Sequence, residues 1–262
     1  LIYLDSLQTA QLPNLEAYIT ANEINLCLSI QAFQESIHSQ SYSYILDTIC
    51  SPEERTEILY QWKDDEFLLE RNRFIGDQYN DFFEKKSEKN FMKALIANYI
   101  LEGVYFYSGF MFFYNLGRMG KMPGTVQEIR YINRDENTHL WLFRSMILDL
   151  KKERPELFTD EKNAQYKEMI KQGAEAEIAW AKYVIGEKIQ GLSIKMVEDY
   201  IKYLGNLRST GLGFGVIYPG YEREIPSMKW VSEYSDPNKI KTDFFEAKPS
   251  AYSKSAIIED DL

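Results

Sequence analysis

The sequence predicts an all-α protein, a bundle of long helices. Apolar residues recur at spacings of three and four along most of the chain, which is the period of a helix with one buried face. No segment shows the alternation typical of a β-strand. With only 8 prolines and 14 glycines in 262 residues, long uninterrupted helices are expected. A chain of this length can also bury a large core.

The helices follow from this period and from their start and stop signals. The first eight residues look like the middle of a helix, so we expect the numbering to begin inside a longer chain. Thr20 and Asn22 are candidate caps for the next helix. The predicted helices cover residues 20–48, 52–85, 89–116, 123–154, 160–187 and 193–204.

Prolines interrupt the pattern from about Tyr218, and the last residues are polar with a small apolar element. We therefore expect an irregular C-terminal tail. The predicted division is a helical domain over residues 1–233 and a flexible tail over residues 234–262.

Charge and cysteine content limit the possible functions. The formal net charge of −10 repels polyphosphate, so a nucleic-acid partner is disfavoured. Two cysteines, Cys27 and Cys50, do not make a disulfide framework and favour a reducing compartment such as the cytoplasm. Residues 94–116 are strongly apolar, but Glu102 at their centre would be costly in lipid, which favours a buried helix over a membrane span.

Both histidines of the chain occur in the same local pattern. Glu35 precedes His38 by three residues, and Glu136 precedes His139 by three. Residues at this spacing share one helix face, so each pair directs a carboxylate and an imidazole into the same space. Such pairs on two helices are typical of bundles that bind two metal ions.

A dinuclear site of this kind needs one carboxylate from each of two further helices. Glu102 lies in the middle of an apolar helix, and Asp5 lies in an apolar segment before the first motif. The four carboxylates would balance the charge of two divalent cations. Oxygen and nitrogen ligands without a thiolate favour iron or manganese over structural zinc.

Each of these features has an ordinary alternative when it is taken alone. A single Glu-x-x-His is usually a solvent-exposed pair, Glu102 fits a buried paired carboxylate, and Asp5 fits an ordinary N-terminal residue. The combination, in a helical chain whose only histidines are these two, favours the metal site.

Tyr42 lies four residues after His38, on the same helix face. A phenol beside an oxygen-activating metal pair can be oxidised to a radical; the alternative is a hydrogen-bonded core tyrosine. Asp135 is positioned to accept a hydrogen bond from a ligand imidazole, or else is a surface charge. Three apolar residues near the motif carboxylates in sequence are expected to form a dry pocket around Tyr42: Phe106, Phe110 and Ile132.

Five segments carry a family resemblance, in the same order as in the family and from the first residues to the last. They are Leu4-Asp5-Ser6, residues 35–42 (ESIHSQSY), residues 101–110 (LEGVYFYSGF), residues 134–139 (RDENTH) and Phe244-Phe245-Glu246 with Tyr252. Together they resemble the small, radical-generating subunit of class I ribonucleotide reductase. The resemblance implies a ferritin-like helical bundle with extra helices, which forms a homodimer.

The resemblance also implies roles for particular residues. One metal ion would be bound by Asp5 and His38 near the tyrosine, the other by Glu102 and His139, and both would be bridged by Glu35 and Glu136. Tyr42 would hold the radical, Asp135 would belong to the electron-transfer relay from His38, and Tyr252 would lie on the radical route in the tail. The end of the tail would dock on the large subunit through Ile257, Ile258 and Leu262.

The implied function is ribonucleoside-diphosphate reduction together with a large subunit. The dimetal centre, of iron or manganese, would activate an oxygen species and oxidise Tyr42, and the radical would pass to the large subunit. The family's relay also uses a tryptophan before the first ligand, and no residue here matches it. Two alternatives stay open: a dimetal oxidase or oxygenase acting on a small molecule or fatty acyl chain, and a ferritin-like metal store.

Overall fold

A computed structural model of the chain describes residues 1–235. Within that range ten α-helices form and no strand occurs, which confirms the predicted all-α fold. The helices are α1 (Ile2–Glu16), α2 (Asn22–Ile49), α3 (Pro52–Tyr60), α4 (Glu66–Glu84), α5 (Glu88–Ile100), α6 (Tyr107–Arg118), α7 (Pro123–Glu153), α8 (Asp160–Val184), α9 (Ile194–Gly211) and α10 (Lys229–Ser235).

Side-chain caps begin five of the helices. Each cap has a hydroxyl or carboxylate oxygen that accepts a hydrogen bond from the backbone N–H three residues later, which satisfies a donor that the first turn leaves free. The five caps are Ser51, Asp65, Ser87, Thr159 and Ser193. The caps predicted for α2 were wrong: Ala21 is its N-cap and makes no side-chain bond, and Asn22 is the first helical residue.

The single helix predicted over residues 52–85 is two helices. α3 ends in a 3-10 turn at Gln61–Lys63, and α4 starts again at Glu66. The carboxylate of Asp65 accepts a hydrogen bond of 2.9 Å from the N–H of Leu68, which starts a new helix instead of continuing the old one. The periodicity of the apolar residues does not reveal this break.

The long apolar helix predicted over residues 89–116 contains a short π-helix. Leu101–Tyr105 adopt this wider turn between α5 and α6, and all five residues are buried. π-segments inside α-helices are rare and occur often at functional sites. Glu102 is the second residue of this segment.

The bundle surrounds a continuous hydrophobic core. α1 packs along α2, and α2 and α5 both pack against α7. Residues 94–101 are completely buried or nearly so, in the centre of the bundle. No helix within residues 1–235 is long and apolar enough to cross a membrane.

The chain is more regular near its C-terminus than predicted. α9 continues to Gly211, seven residues beyond the predicted end at residue 204. α10 lies in the stretch expected to be irregular, where it buries Val231 next to the buried Met228. Burial of these apolar side chains stabilises a short helix that the prolines did not lead us to expect.

Candidate metal centre

Four parts of the bundle bring six ligand-type side chains together. One comes from α1, two from α2, one from the π-segment and two from α7, and all six side chains are at most 3% exposed. They form two groups, each with ligand atoms within 4.8 Å of one another: Asp5, Glu35, His38 and Glu136, and Glu35, Glu102, Glu136 and His139. The groups share two members, so the side chains define two adjacent positions for a cation.

The shared residues are the two glutamates of the Glu-x-x-His motifs. Oε1 of Glu136 lies 3.1 Å from Nδ1 of His38, while its Oε2 lies 2.8 Å from Nδ1 of His139. Glu35 spans the same gap, with Oε1 3.2 Å from Nδ1 of His139 and Oε2 3.8 Å from Nδ1 of His38. Each glutamate therefore directs one oxygen to each side of the centre.

The remaining two carboxylates each belong to one side only. Oδ1 of Asp5 lies 3.8 Å from Nδ1 of His38, and Oε2 of Glu102 lies 3.8 Å from Nδ1 of His139. The cluster is therefore nearly symmetric, with one terminal carboxylate and one imidazole on each side of two shared glutamates.

Both imidazoles direct Nδ1 into the cluster and Nε2 outwards. Nε2 of His38 lies 3.3 Å from Oδ2 of Asp135, the residue expected at this place. Nε2 of His139 lies 3.0 Å from Oε1 of Gln34, which the sequence analysis did not identify. An acceptor at the outer nitrogen fixes the ring orientation and the tautomer of a metal-binding histidine.

Two further glutamines contact Glu102 and were also missed. Nε2 of Gln8 and Nε2 of Gln31 both donate to Oε1 of Glu102, the latter at 2.8 Å. Gln8 accepts in turn from the hydroxyl of Tyr79 at 2.6 Å. Gln8 lies three residues after Asp5 and Gln31 four before Glu35, so helical spacing from the ligands was the available signal.

The metal-free cluster is electrostatically unfavourable. Burial, followed by the charges of Glu35 and Glu136, raises the pKa of Asp5 well above its usual value, and the same causes raise that of Glu102. Burial alone lowers the pKa of His38, but the nearby carboxylates outweigh it and raise that pKa to about 12. The cluster therefore retains protons that cations would replace.

Unpaired polar atoms provide a separate test of whether these residues fit a metal pair. Buried oxygen and nitrogen atoms without a hydrogen bond are costly in a folded protein. Six such atoms lie in this cluster, where the 3.1–3.8 Å contacts of His38 Nδ1 with the carboxylates lack hydrogen-bond geometry: Oδ1 and Oδ2 of Asp5, Oε2 of Glu35, Nδ1 of His38, Oε2 of Glu102 and Oε1 of Glu136. Two cations would satisfy them, so the donor set fits a dinuclear centre.

Tyr42 is buried on α2, one turn after His38. Its hydroxyl makes no hydrogen bond with any residue that the structure describes, unlike an ordinary core tyrosine. Burial and the charges of Asp5, Glu136 and Glu35 raise its pKa well above the usual value, so the phenol stays protonated. The residues predicted to surround it are all buried: Phe106, Phe110 and Ile132.

The predicted tail residues lie outside the described part of the chain. They are Phe244, Phe245, Glu246, Tyr252, Ile257, Ile258 and Leu262.

Comparison with known proteins decides the family. Residues 1–226 match the family model described as "Ribonucleotide reductase, small chain". The chain belongs to this family. The resemblance inferred from the motifs is thereby confirmed, and the chain is a small subunit of an oxidoreductase. Its membership does not favour the oxygenase or metal-store alternatives.

Individual relatives agree with the small-chain assignment. The chain is 66% identical over its whole length to the ribonucleoside-diphosphate reductase subunit beta of Treponema pallidum, 75% of which it covers. Its fold matches the ribonucleotide reductase R2 subunit from Clostridium botulinum with a TM-score of 0.86 and 49% identity, covering 89% of this chain and 73% of that one. A putative class I ribonucleotide reductase from Bacillus halodurans gives a TM-score of 0.85 at 39% identity, covering 89% of this chain and 82% of that one.

Proposed function

We propose that this small chain generates a tyrosyl radical at a dinuclear metal centre and passes it to a large subunit that reduces ribonucleoside diphosphates. The observation that carries the proposal is the pair of cation positions sharing Glu35 and Glu136. Asp5 and His38 would complete one position and Glu102 and His139 the other. The unsatisfied buried atoms of this cluster support that assignment.

The chemistry that two iron or manganese ions would supply is the activation of an oxygen species to an oxidant of the phenol. The protein's own residues prepare the rest. Tyr42 is kept protonated and dry in its buried position on α2. No described side chain accepts a hydrogen bond from its hydroxyl, so the oxygen species that takes the electron would also take up the hydroxyl proton.

Asp135 is the proposed start of the relay to the large subunit. Its carboxylate lies on the outer side of His38 and also contacts the Arg134 guanidinium at 3.3 Å. Asp135 is only partly buried, so it connects the cluster with the surface. Tyr252 would continue the route in the tail.

The direct test uses full-length protein reconstituted with Fe(II) or Mn(II) and oxidant. We expect two bound ions per chain, a tyrosyl signal in electron paramagnetic resonance, and reduction of CDP only when the large subunit is added. Protein that binds both ions but gives no CDP reduction with its large subunit would contradict the proposal.

A homodimer is supported by an exposed apolar stripe on α2. Five large apolar side chains recur at helical spacing and remain exposed, although such residues are normally buried. They are Leu26 (68% exposed), Ile30, Phe33 (66%), Ile37 and Tyr44. Trp141 of α7 is similarly exposed. We propose that a second copy of the chain covers this surface.

Phe33→Asp is expected to dissociate the dimer. Two-fold symmetry introduces each new charge twice. A buried unpaired charge costs roughly 3 kcal/mol, so the two charges together cost roughly 6 kcal/mol, or on the order of 10⁴-fold in the dimer dissociation constant. Light scattering at micromolar concentration should report a monomer. The control is Phe83→Asp, a change at an exposed residue of α4, which should leave the dimer mass unchanged. If Phe33→Asp forms a dimer as tight as the wild-type dimer, the exposed stripe on α2 is not the dimer interface.

Deleting residues 246–262 is expected to abolish binding to the large subunit while leaving both metal ions bound. The proposed docking anchors are three apolar side chains of the deleted segment, Ile257, Ile258 and Leu262, and their removal should take away most of the affinity. Calorimetric titration with the large subunit and metal analysis measure the two properties. Tyr252→Phe is the matched control, because it should retain binding and lose turnover. Unchanged affinity after the deletion would refute the docking role.

We also infer a cytoplasmic location. Cys27 and Cys50 are free thiols, which reducing compartments maintain.

A further inference from the structure

The π-segment that carries Glu102 is held by two buried arginines from other helices. Nε of Arg208, on α9, donates to the carbonyl oxygen of Gly103 at 3.0 Å. Nη2 of Arg71, on α4, donates to the carbonyl oxygen of Tyr105 at 2.8 Å. The change to π geometry disturbs the regular pattern of helix hydrogen bonds, so these carbonyl bonds stabilise the segment where it departs from an α-helix.

Arg71 is neutralised and fixed by its surroundings. Its Nε lies 2.9 Å from Oε2 of Glu177, and Oε1 of Glu177 accepts from the hydroxyl of Ser108, just beyond the π-segment. Its guanidinium also lies over the Tyr105 ring, 4.5 Å from the centroid. This ion pair therefore ties α4 and α8 to the C-terminal end of the π-segment.

Arg208 differs because no carboxylate pairs with it among residues 1–235. Its described partners are the Gly103 carbonyl, the Tyr107 hydroxyl at 3.4 Å and the face of the Tyr107 ring. A buried guanidinium without a counterion is costly, so its place needs a specific reason. Gly103 makes the approach possible: a Cβ there would lie 2.7 Å from Nε of Arg208.

We propose that Arg208 and Arg71 are positioning residues that lock the π-segment in register and so hold the Glu102 carboxylate at its cation position. If the wide turn moved along the chain by one residue, past Glu102, the Glu102 side chain would rotate around the helix axis by about 100°. Such a rotation would turn Glu102 away from His139. Gln8 and Gln31 do not prevent it, because they donate to the Glu102 carboxylate and not to the backbone of the π-segment. The inference rests on the proposed role of Glu102 as a metal ligand.

The test compares two substitutions of nearly equal length in the full-length protein. Arg208→Gln removes the charge but places an amide nitrogen where Nε was, so the bond to Gly103 can persist. Arg208→Met removes the donor. Titration with Mn(II) alone gives two dissociation constants. We expect the ratio of the two constants to change at least about tenfold in Arg208→Met, because only the Glu102 position is weakened, and to stay within about threefold of wild type in Arg208→Gln.

Two further variants make the result specific. Gly103→Ala, which pushes against Arg208, should give the same loss as Arg208→Met. Arg144→Met removes a similar bond, from Nε to the Gly211 carbonyl at 3.1 Å, which does not touch the π-segment. It should leave the ratio of the constants unchanged. A fall in the unfolding temperature of Arg208→Met with an unchanged ratio would overturn the proposal, because the role would then be structural only.

Hydrogen exchange of the metal-free protein separates this proposal from the proposed function. Amides of residues 101–106 should exchange faster in Arg208→Met than in wild type, and Arg208→Gln should restore protection. Equal exchange rates in all three proteins would overturn the proposed positioning role of Arg208 even if the metals bind. If wild-type protein binds no Mn(II), the proposed metal centre is wrong. The proposed role of Arg208 in positioning a metal ligand then fails with it, whatever the exchange rates show.

Discussion

Glu136→Ala is expected to leave the protein with almost no bound metal. Glu136 contacts both imidazoles, at 3.1 Å and 2.8 Å, so its loss removes an oxygen from each cation position. It also leaves the remaining carboxylates unable to balance two divalent ions. We expect elemental analysis to fall from two ions per chain to fewer than about 0.2, since losing a shared ligand weakens both sites beyond the 10–100-fold typical of outer contacts.

Thermal unfolding gives a second measurement of the same loss. A ligand at 100 times its dissociation constant stabilises the native state by about 2.7 kcal/mol. Wild-type protein should therefore unfold at a higher temperature with Mn(II), and Glu136→Ala should not. Glu128→Ala, about two turns earlier on α7, is the matched control and should keep both ions. Two tightly bound ions in Glu136→Ala would exclude the shared-ligand geometry.

Tyr42→Phe is expected to abolish the tyrosyl signal and to reduce turnover with the large subunit by more than about 1000-fold, because the proposed radical has no other site. The substitution removes only a hydroxyl that has no described hydrogen-bond partner. Metal content and unfolding temperature should therefore match wild type. The measurements are electron paramagnetic resonance, CDP reduction and elemental analysis on the same sample.

Two other variants separate radical formation from radical transfer. Tyr166→Phe changes a buried tyrosine whose hydroxyl bonds the Leu157 carbonyl at 3.1 Å, and it should keep signal and turnover. Asp135→Asn should keep the signal and lose turnover, because Asp135 is placed in the relay. A tyrosyl signal of wild-type size and shape in Tyr42→Phe would assign the radical to another residue.

Local sequence rules predicted the part of the site that local geometry determines. Glu35 and His38 share a face because they lie three residues apart on one helix, and this holds whatever packs against them. The same rule places Glu136 beside His139. The resemblance added the assignment of Asp5 and Glu102 to opposite sides, a pairing that depends on the packing of separate helices.

What sequence could not predict depends on contacts between distant residues. In the π-segment that contains Glu102, the carbonyl of Gly103 accepts a hydrogen bond from Arg208, which lies 105 residues later in the chain. No periodicity encodes that bond, and the apolar run reads as an uninterrupted α-helix. The break after α3 was missed because it depends on a local contact, the cap formed by Asp65. The apolar periodicity is read over many residues and does not detect a single cap.

The two Glu-x-x-His motifs differ chemically because their imidazoles have different hydrogen-bond partners on the outer side. His38 faces the negatively charged Asp135, whereas His139 faces the neutral amide of Gln34. A charged acceptor makes an imidazole the stronger electron donor. Two identical ions in this cluster would consequently differ in reduction potential, with the one beside His38 easier to oxidise. Iron-loaded protein should show this inequivalence as two resolved quadrupole doublets in its Mössbauer spectrum.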